Sequence, residues 1–416
     1  VRIVRSQILN GAIFVVGSFL VAGCSNQNGS VAPAIPAAPL VASAASTRVE
    51  PLSARAMAIT PLCPLAGIGP NVATCNSLLR SDLTPNPSSH PNLLALPGLT
   101  PNDLRAAYGL TEAAAAGGIG QSVAIVEAYH NPLLGADLAV YRLAFGLPPC
   151  TVLNGCLTFA AALGTPLNVS ASWEAESDLD AEMVSAICPN CKIIVSEAPT
   201  DQIGDLAAAA GAAVAAGATV VSNSYSSAET ASSLAYDHYY DAPGVPMTAG
   251  SGDYGYASGA SYPASSKHVT AVGGTTLAAS GGTFASESVW TDTGSGCSTI
   301  VGKPWWQVDG GCKMRTTNDV AVVGDPATGV AVFLTGFGGW NVLGGTSVGA
   351  PIVAAMYALA GNGKTIETPA RLYRHRTAFR QLEGSNGSCS PRYLCTGLDR
   401  YTGPAGLGAP VGLDAF

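Results

Sequence analysis

Three stretches of this chain carry side chains from which a hydrolytic site could be built. The first is Gly344-Gly345-Thr346-Ser347-Val348-Gly349-Ala350-Pro351, between an apolar-aromatic run, Phe337 to Leu343, and an unbroken helical pattern, Ile352 to Leu359. Ser347 is expected where a glycine-rich turn enters a helix. Glycines let backbone approach a substrate closely, and a helix N-terminus favours negative charge nearby, so the position suits a nucleophile. It equally suits a plain helix cap made by Thr346 or Ser347. The second stretch runs from Trp173 to Asp180. Its Glu176 and Asp180, four residues apart, share one helix face, and Met183 and Ile187 near that face suggest burial. Two buried carboxylates repel and titrate as a pair. One can take a proton from a serine while the other orients it, a triad with carboxylate in place of imidazole. On spacing alone, the acidic run also reads as a surface complement to a helix N-terminus. The third stretch is Ser251-Gly252-Asp253-Tyr254-Gly255. Asp253 is an ordinary turn former there. Protonated, it could instead donate to an oxyanion, and such a site would work best in acid.

Histidine offers little competition as the base. The five histidines, at 90, 130, 238, 268 and 375, are scattered. None lies in a glycine-rich junction between strand and helix; His130, just after a strand, is the best placed. Cys188-Pro189-Asn190-Cys191 lacks the second cysteine or histidine pair that a zinc site needs. The eleven cysteines suggest disulfides instead. With Cys24 set aside they fall into neighbouring pairs: Cys63/Cys75, Cys150/Cys156, Cys188/Cys191, Cys297/Cys312 and Cys389/Cys395. Short-loop disulfides fit an oxidising compartment.

The elements around these stretches alternate between strand and helix. Thr100 or Asn102 can cap a helix towards Tyr108. Strands are expected at Ser122–Ala128, Lys192–Ser196, Ala218–Ser222, Val245–Ala249 and His268–Val272. Helices are expected at Leu134–Phe145, Glu174–Ile187 (amphipathic), Ile203–Ala216 and Ala231–Tyr240. Short strands alternating with helices imply an α/β parallel sheet with right-handed crossovers. Sites in such sheets lie beyond the carboxyl ends of the strands, where Glu127 and Asp253 fall. No internal repeat is evident.

Composition narrows the function classes. Charged residues make up only 11% of the 416, and the net charge is -8, so no basic patch exists to neutralise phosphates and nucleic acid is excluded as a partner. Past the N-terminus no apolar run reaches the roughly 18 residues of a spanning helix. At the N-terminus, Arg2 and Arg5 precede an apolar stretch, Ile8 to Leu20, and then Val21-Ala22-Gly23-Cys24. This resembles a bacterial lipoprotein signal, with Cys24 as the lipidated residue and membrane anchor. Ser25, not Asp, follows it, which implies the outer membrane in a Gram-negative source. The expected organisation is a signal peptide at 1–23, a flexible Ala/Pro-rich tether at 24–55, a short prosegment at 56–98 and a catalytic domain at 99–416.

Together the three stretches resemble the sedolisin, or serine-carboxyl peptidase, family. The likeness runs from about Leu99 to the C-terminus. It includes Met183 to Cys191 after the acidic box, and Tyr262-Pro263-Ala264-Ser265-Ser266 and Val272-Gly273-Gly274-Thr275 after Asp253. The resemblance implies a subtilisin-like α/β fold, with Ser347 as nucleophile, Glu176 as base, Asp180 as its partner, Asp253 at the oxyanion and Glu127 as an extension of the carboxylate network. It implies protein or peptide substrates, action in acid and synthesis as a precursor that cuts itself, expected near residues 95 to 118. That cut would free the enzyme from its lipid. A monomer is expected. The family also implies Ca²⁺, but its carboxylates are missing here. Arg380 stands for one Asp in Phe379-Arg380-Gln381-Leu382-Glu383-Gly384, and Thr402 for another in Arg400-Tyr401-Thr402-Gly403. Asn318-Asp319-Val320 departs from a family Pro-Asp-Val. The metal site is therefore expected to be weakened or lost, with Glu383, Asp399 or a Cys389/Cys395 staple as compensation. A lost metal can accompany lost catalysis, so the alternative reading is a silent surface lipoprotein that keeps the fold as a binding module.

Overall fold

Parallel strands covered on both faces read as continuous apolar runs, and Val123-Ala124-Ile125-Val126 is one, each residue fully buried. The computed structural model describes residues 56–63, 71–161, 168–365, 369–398 and 400–416. The expected signal peptide, Cys24, the tether and Asp399 lie outside them. In chain order the first elements are β1 (Ile59–Pro61), β2 (Thr74–Cys75), β3 (Leu78–Arg80), α1 (Pro101–Ala107) and α2 (Thr111–Ala116). Then come β4 (Ser122–Ala128), α3 (Leu134–Ala144), β5 (Leu157–Ala161), α4 (Ala171–Ile187), β6 (Lys192–Ala198), α5 (Ile203–Ala215), β7 (Val220–Asn223) and β8 (Tyr225–Ala228). After them lie β9 (Met247–Gly250), β10 (Ser261–Tyr262), β11 (Val269–Ser280), β12 (Thr283–Val289), β13 (Gly296–Gly302), β14 (Met314–Thr317), β15 (Val320–Val323), β16 (Val330–Leu334), β17 (Gly339–Gly344) and α6 (Thr346–Ala360).

The main sheet has the order β12-β11-β9-β7-β4-β6-β5, and β15 also pairs with β11. Every pairing in it is parallel except that of β12. This is the expected α/β subtilisin-like architecture. Helix α6 crosses one face, packed against β7, β9, β11 and β15, while α4 lies against α6, α3, α1 and β16.

Three expectations need correction. Helix α4 is not amphipathic: from Ala175 to Ile187 every residue is buried, Glu176, Asp178, Asp180 and Glu182 included, because elements enclose it on all sides. The segment 231–240 forms a 3₁₀ turn, Ser233–Tyr239, rather than an α-helix. Strand β5 and the second sheet, β1-β3-β17-β16, were not foreseen. Residues 56–98, the expected prosegment, supply two strands of that second sheet. Their described residues, 56–63 and 71–98, belong to the same body as the rest of the described chain, with β1 on β3, β3 on β17 and β2 on β8. The region expected to be cut, 95 to 118, holds α1, whose Thr100 makes a full capping box with Asp103 and whose Leu104 is fully buried.

The five cysteine pairs are joined as neighbours: Cys63–Cys75, Cys150–Cys156, Cys188–Cys191, Cys297–Cys312 and Cys389–Cys395. Among the described residues no helix is long and apolar enough to cross a membrane.

Candidate active site

Ser347 is the second residue of α6, which begins directly after Gly345, a residue at φ 99°. That conformation favours glycine. A Cβ at Gly345 would also strike the Asn76 carbonyl and crowd Asp253 Oδ2, so the turn needs glycine twice over. Pro351, inside α6, has no N–H to give the carbonyl of Ser347. The Ser224 hydroxyl lies 3.3 Å from that carbonyl. The same hydroxyl donates to Asp180, 2.7 and 2.9 Å from its two oxygens. The Ser347 hydroxyl in turn donates to the Ser224 carbonyl at 3.1 Å. Ser224 therefore ties the acidic helix to Ser347.

Beside Ser347 lies a row of buried carboxyls. Glu176 and Asp180 come from one face of α4, and Glu127 reaches Asp180 from the end of β4. Burial pushes the Glu176 carboxyl well above its ordinary range, and Asp180 adds to this; the hydroxyls of Ser347 and Ser77 pull it partly back. Those hydroxyls approach Glu176 without completing a hydrogen bond to either oxygen. Burial also pushes Asp180 up to about 8, against the opposing influence of the Ser224 and Glu127 contacts. Glu127 is driven up by burial and then by its acidic neighbours. The row holds protons where isolated carboxyls would have lost them, although Glu127 completes no hydrogen bond to Asp180.

Asp253 sits three residues beyond β9. Its Oδ1 accepts the Thr346 N–H at 2.8 Å and the Thr346 hydroxyl at 2.9 Å. Its Oδ2 is buried without a partner. Burial raises this carboxyl to about 7, opposed by the two Thr346 donors. Oδ2 borders Gly345, two residues before Ser347. The described structure thus brings Ser347, Glu176, Asp180 and Asp253 together, with Glu127 behind them.

No family model matches the chain. Over 353 residues it is 31% identical to kumamolisin of Bacillus sp. (strain MN-32), an alignment that takes in 76% of this chain and 62% of that protein. A segment of 135 residues is 35% identical to sedolisin of Pseudomonas sp. (strain 101), 28% of this chain and 23% of that one. The solved fold of Pseudomonas sedolisin, a serine-carboxyl proteinase complexed with two molecules of pseudo-iodotyrostatin, matches at a TM-score of 0.66 with 22% identity, over 76% of this chain and 96% of that chain. The chain is similar in sequence to serine-carboxyl peptidases of the sedolisin family and shares the sedolisin fold. It spans about 62% of the length of kumamolisin.

At the C-terminal loops the chain departs from the sedolisin pattern. Arg380 points its guanidinium at Glu287 Oε2, 2.6 Å away, and lies over the Phe284 ring. Thr402 is fully buried, its hydroxyl without a partner. A cation-bearing side chain and a lone hydroxyl do not suit Ca²⁺, which prefers several oxygens including carboxylates. Asp319 is already committed to Arg315, 2.5 and 2.8 Å away, and to the Tyr373 hydroxyl at 2.7 Å. His130, the fallback base, pairs with Glu197 at 2.9 Å.

Sequence reasoning missed Ser224 and the segment around Asn76. A signal for Ser224 existed. Ser222 to Ser227 is a small polar run directly after a buried strand, where sites in parallel sheets gather. Asn76 carried no comparable signal. The site has one further oddity: Ser347 is 0% exposed. A cleft of about 1010 Å³ exists elsewhere, lined by residues including Asp237, His268, Lys303 and Trp305, but by none of the site's acids.

Proposed function

We propose that this chain is an exported serine-type endopeptidase that works in acid, with Ser347 as nucleophile, Glu176 as base, Asp180 as its partner and Asp253 as oxyanion donor. The observation that carries the proposal is the buried row Glu127–Asp180–Glu176 set beside a serine at a helix N-terminus. In the reaction the Ser347 hydroxyl turns from the Ser224 carbonyl to Glu176 and gives up its proton as its oxygen attacks a peptide carbonyl. Glu176 must be ionised to accept it. Protons kept on Asp180 and Glu127 by their burial make that single charge tolerable in a buried row. The developing oxyanion takes the Ser347 N–H and the Asp253 proton. Glu176 then protonates the leaving amine, and water hydrolyses the acyl-enzyme.

The same reading places the substrates among proteins and peptides. The lipoprotein signal supports an outer-membrane attachment through Cys24 until the chain is cut. Arg380 and Thr402 support a C-terminal region held by its disulfide and ion pairs without calcium. The test is digestion of a denatured protein from about pH 3 to pH 7, with wild type beside Ser347→Ala and Glu176→Gln. The expected activity is greatest in acid, declines as pH nears 7, and is lost in both variants. Activity that peaks near neutral pH and survives Glu176→Gln would assign the wrong base. No activity from folded, processed protein would leave a silent binding module.

A further inference from the structure

Residues 71 to 80 lie where a bound peptide substrate has to lie. On one side of Ser347, β2 pairs antiparallel with β8, Thr74 opposite Ser226 and Cys75 opposite Tyr225. The Asn76 N–H donates to the Ser224 carbonyl at 3.3 Å. On the other side, Leu78 pairs with Gly344, three residues before the nucleophile. The chain thus crosses the site as an added strand, the usual manner of peptide recognition at a sheet edge. Between the two pairings the Asn76 carbonyl accepts the Ser347 N–H at 2.9 Å, and Asp253 Oδ2 borders the same space at Gly345. Ser77 reaches Glu176. This strand is what buries Ser347. One end of the Asn76 side chain is read: its Oδ1 accepts the Ser226 hydroxyl at 2.7 Å, while its Nδ2 is buried without a partner.

We infer that the Asn76–Ser77 bond of this chain is the first substrate of its own site, and that the site selects asparagine on the carbonyl side of the bond it cuts. The inference rests on the peptidase reading above. The Ser347 oxygen bonds to the Asn76 carbonyl carbon, and its proton passes through Glu176 to the Ser77 nitrogen as the C–N bond breaks. Water then splits the Asn76 ester, giving an Asn76 carboxylate and restoring the Ser347 hydroxyl. Ser77 becomes an N-terminus, upstream of the 95–118 region. Until the strand ahead of it leaves β8, other substrates are shut out.

The test uses the full chain with its disulfides, incubated at its acid optimum and followed by intact mass and N-terminal sequencing, beside Ser347→Ala. A new N-terminus at Ser77 in wild type, absent from the variant, is expected. Digestion of a denatured protein should begin only after that cut. A synthetic peptide of residues 71–81 with Cys75→Ser, offered to processed enzyme, should be cut between Asn76 and Ser77. Its Asn76→Leu counterpart should lose about tenfold in kcat/KM, because the Ser226 hydroxyl is left unpaired. A new N-terminus elsewhere, or an uncut chain, in a preparation that digests denatured protein would overturn the inference and leave the peptidase reading intact. Equal turnover of the two peptides would overturn the selectivity. Failure to digest either itself or any other protein would overturn both readings.

Discussion

At the scale of single residues, the donor role proposed for Asp253 rests on surroundings that keep a proton on its carboxyl. Thr346 supplies both its N–H and its hydroxyl to Oδ1, which fixes that oxygen as the acceptor and leaves the proton to Oδ2. With a pKa of about 7, the donor exists below that pH and disappears above it. Replacing Asp253 by Ala removes an oxyanion donor and should lower kcat by about 10²- to 10³-fold. Asp253→Asn keeps an acceptor for Thr346 and a permanent N–H donor. It should retain more activity than the Ala variant and lose the decline towards pH 7 that Asp253 imposes. A pH–rate profile of the three proteins decides this. An Asn variant whose decline towards pH 7 is unchanged would assign that limb to the carboxylate row instead.

At the scale of elements, α4 explains the chemistry and the pH dependence of stability together. Its buried carboxyls are held by the packing around the helix, and their protons are part of the fold. In the unfolded chain Asp180 and Asp253 titrate near 4; in the native protein they do so at about 8 and about 7. Between those values the native state binds more protons than the unfolded state, so stability falls as pH rises. The contribution is complete below about pH 4 and is lost as pH passes through 7 to 8. Melting of the uncut Ser347→Ala protein should therefore shift to lower temperature from pH 5 to pH 8, and Asp180→Asn should flatten the shift. A melting temperature that rises over that range would contradict the assignment. The same helix marks how far sequence could be read. The spacing of Glu176 and Asp180 placed both on one face, and the strand-helix alternation gave the parallel sheet. Their burial depends on α6, α3, α1 and β16, which come from four distant stretches, and no local pattern reports that. Ser224 needed the register of β7 and β8. Asn76 needed the knowledge that an unremarkable segment threads between β8 and β17.

At the scale of the whole molecule, the proposal that the C-terminal region is held without calcium turns on the tie between Arg380 and Glu287. Glu287 is a fully buried carboxyl, raised by burial and eased by the Thr275 hydroxyl, the Arg380 guanidinium and the Tyr108 hydroxyl. Arg380 thereby joins the C-terminal loop to β12 and, through the Ala107 carbonyl, to the end of α1. Removing one partner of a buried pair leaves a charge without compensation. Arg380→Ala should cost about 3 kcal/mol near pH 7 in denaturant unfolding. Near pH 4 the cost should shrink, because Glu287, raised further without its cation, takes up a proton instead. Chelation separates this tie from a metal. An ion bound at a hundred times its dissociation constant contributes about 2.7 kcal/mol, worth several degrees of melting temperature. Addition of EDTA to the intact protein should shift melting by less than about 2 °C, while Arg380→Ala shifts it by more. The opposite pattern, a large loss on chelation and a small one on substitution, would mean that oxygens other than the family's carboxylates still hold calcium here.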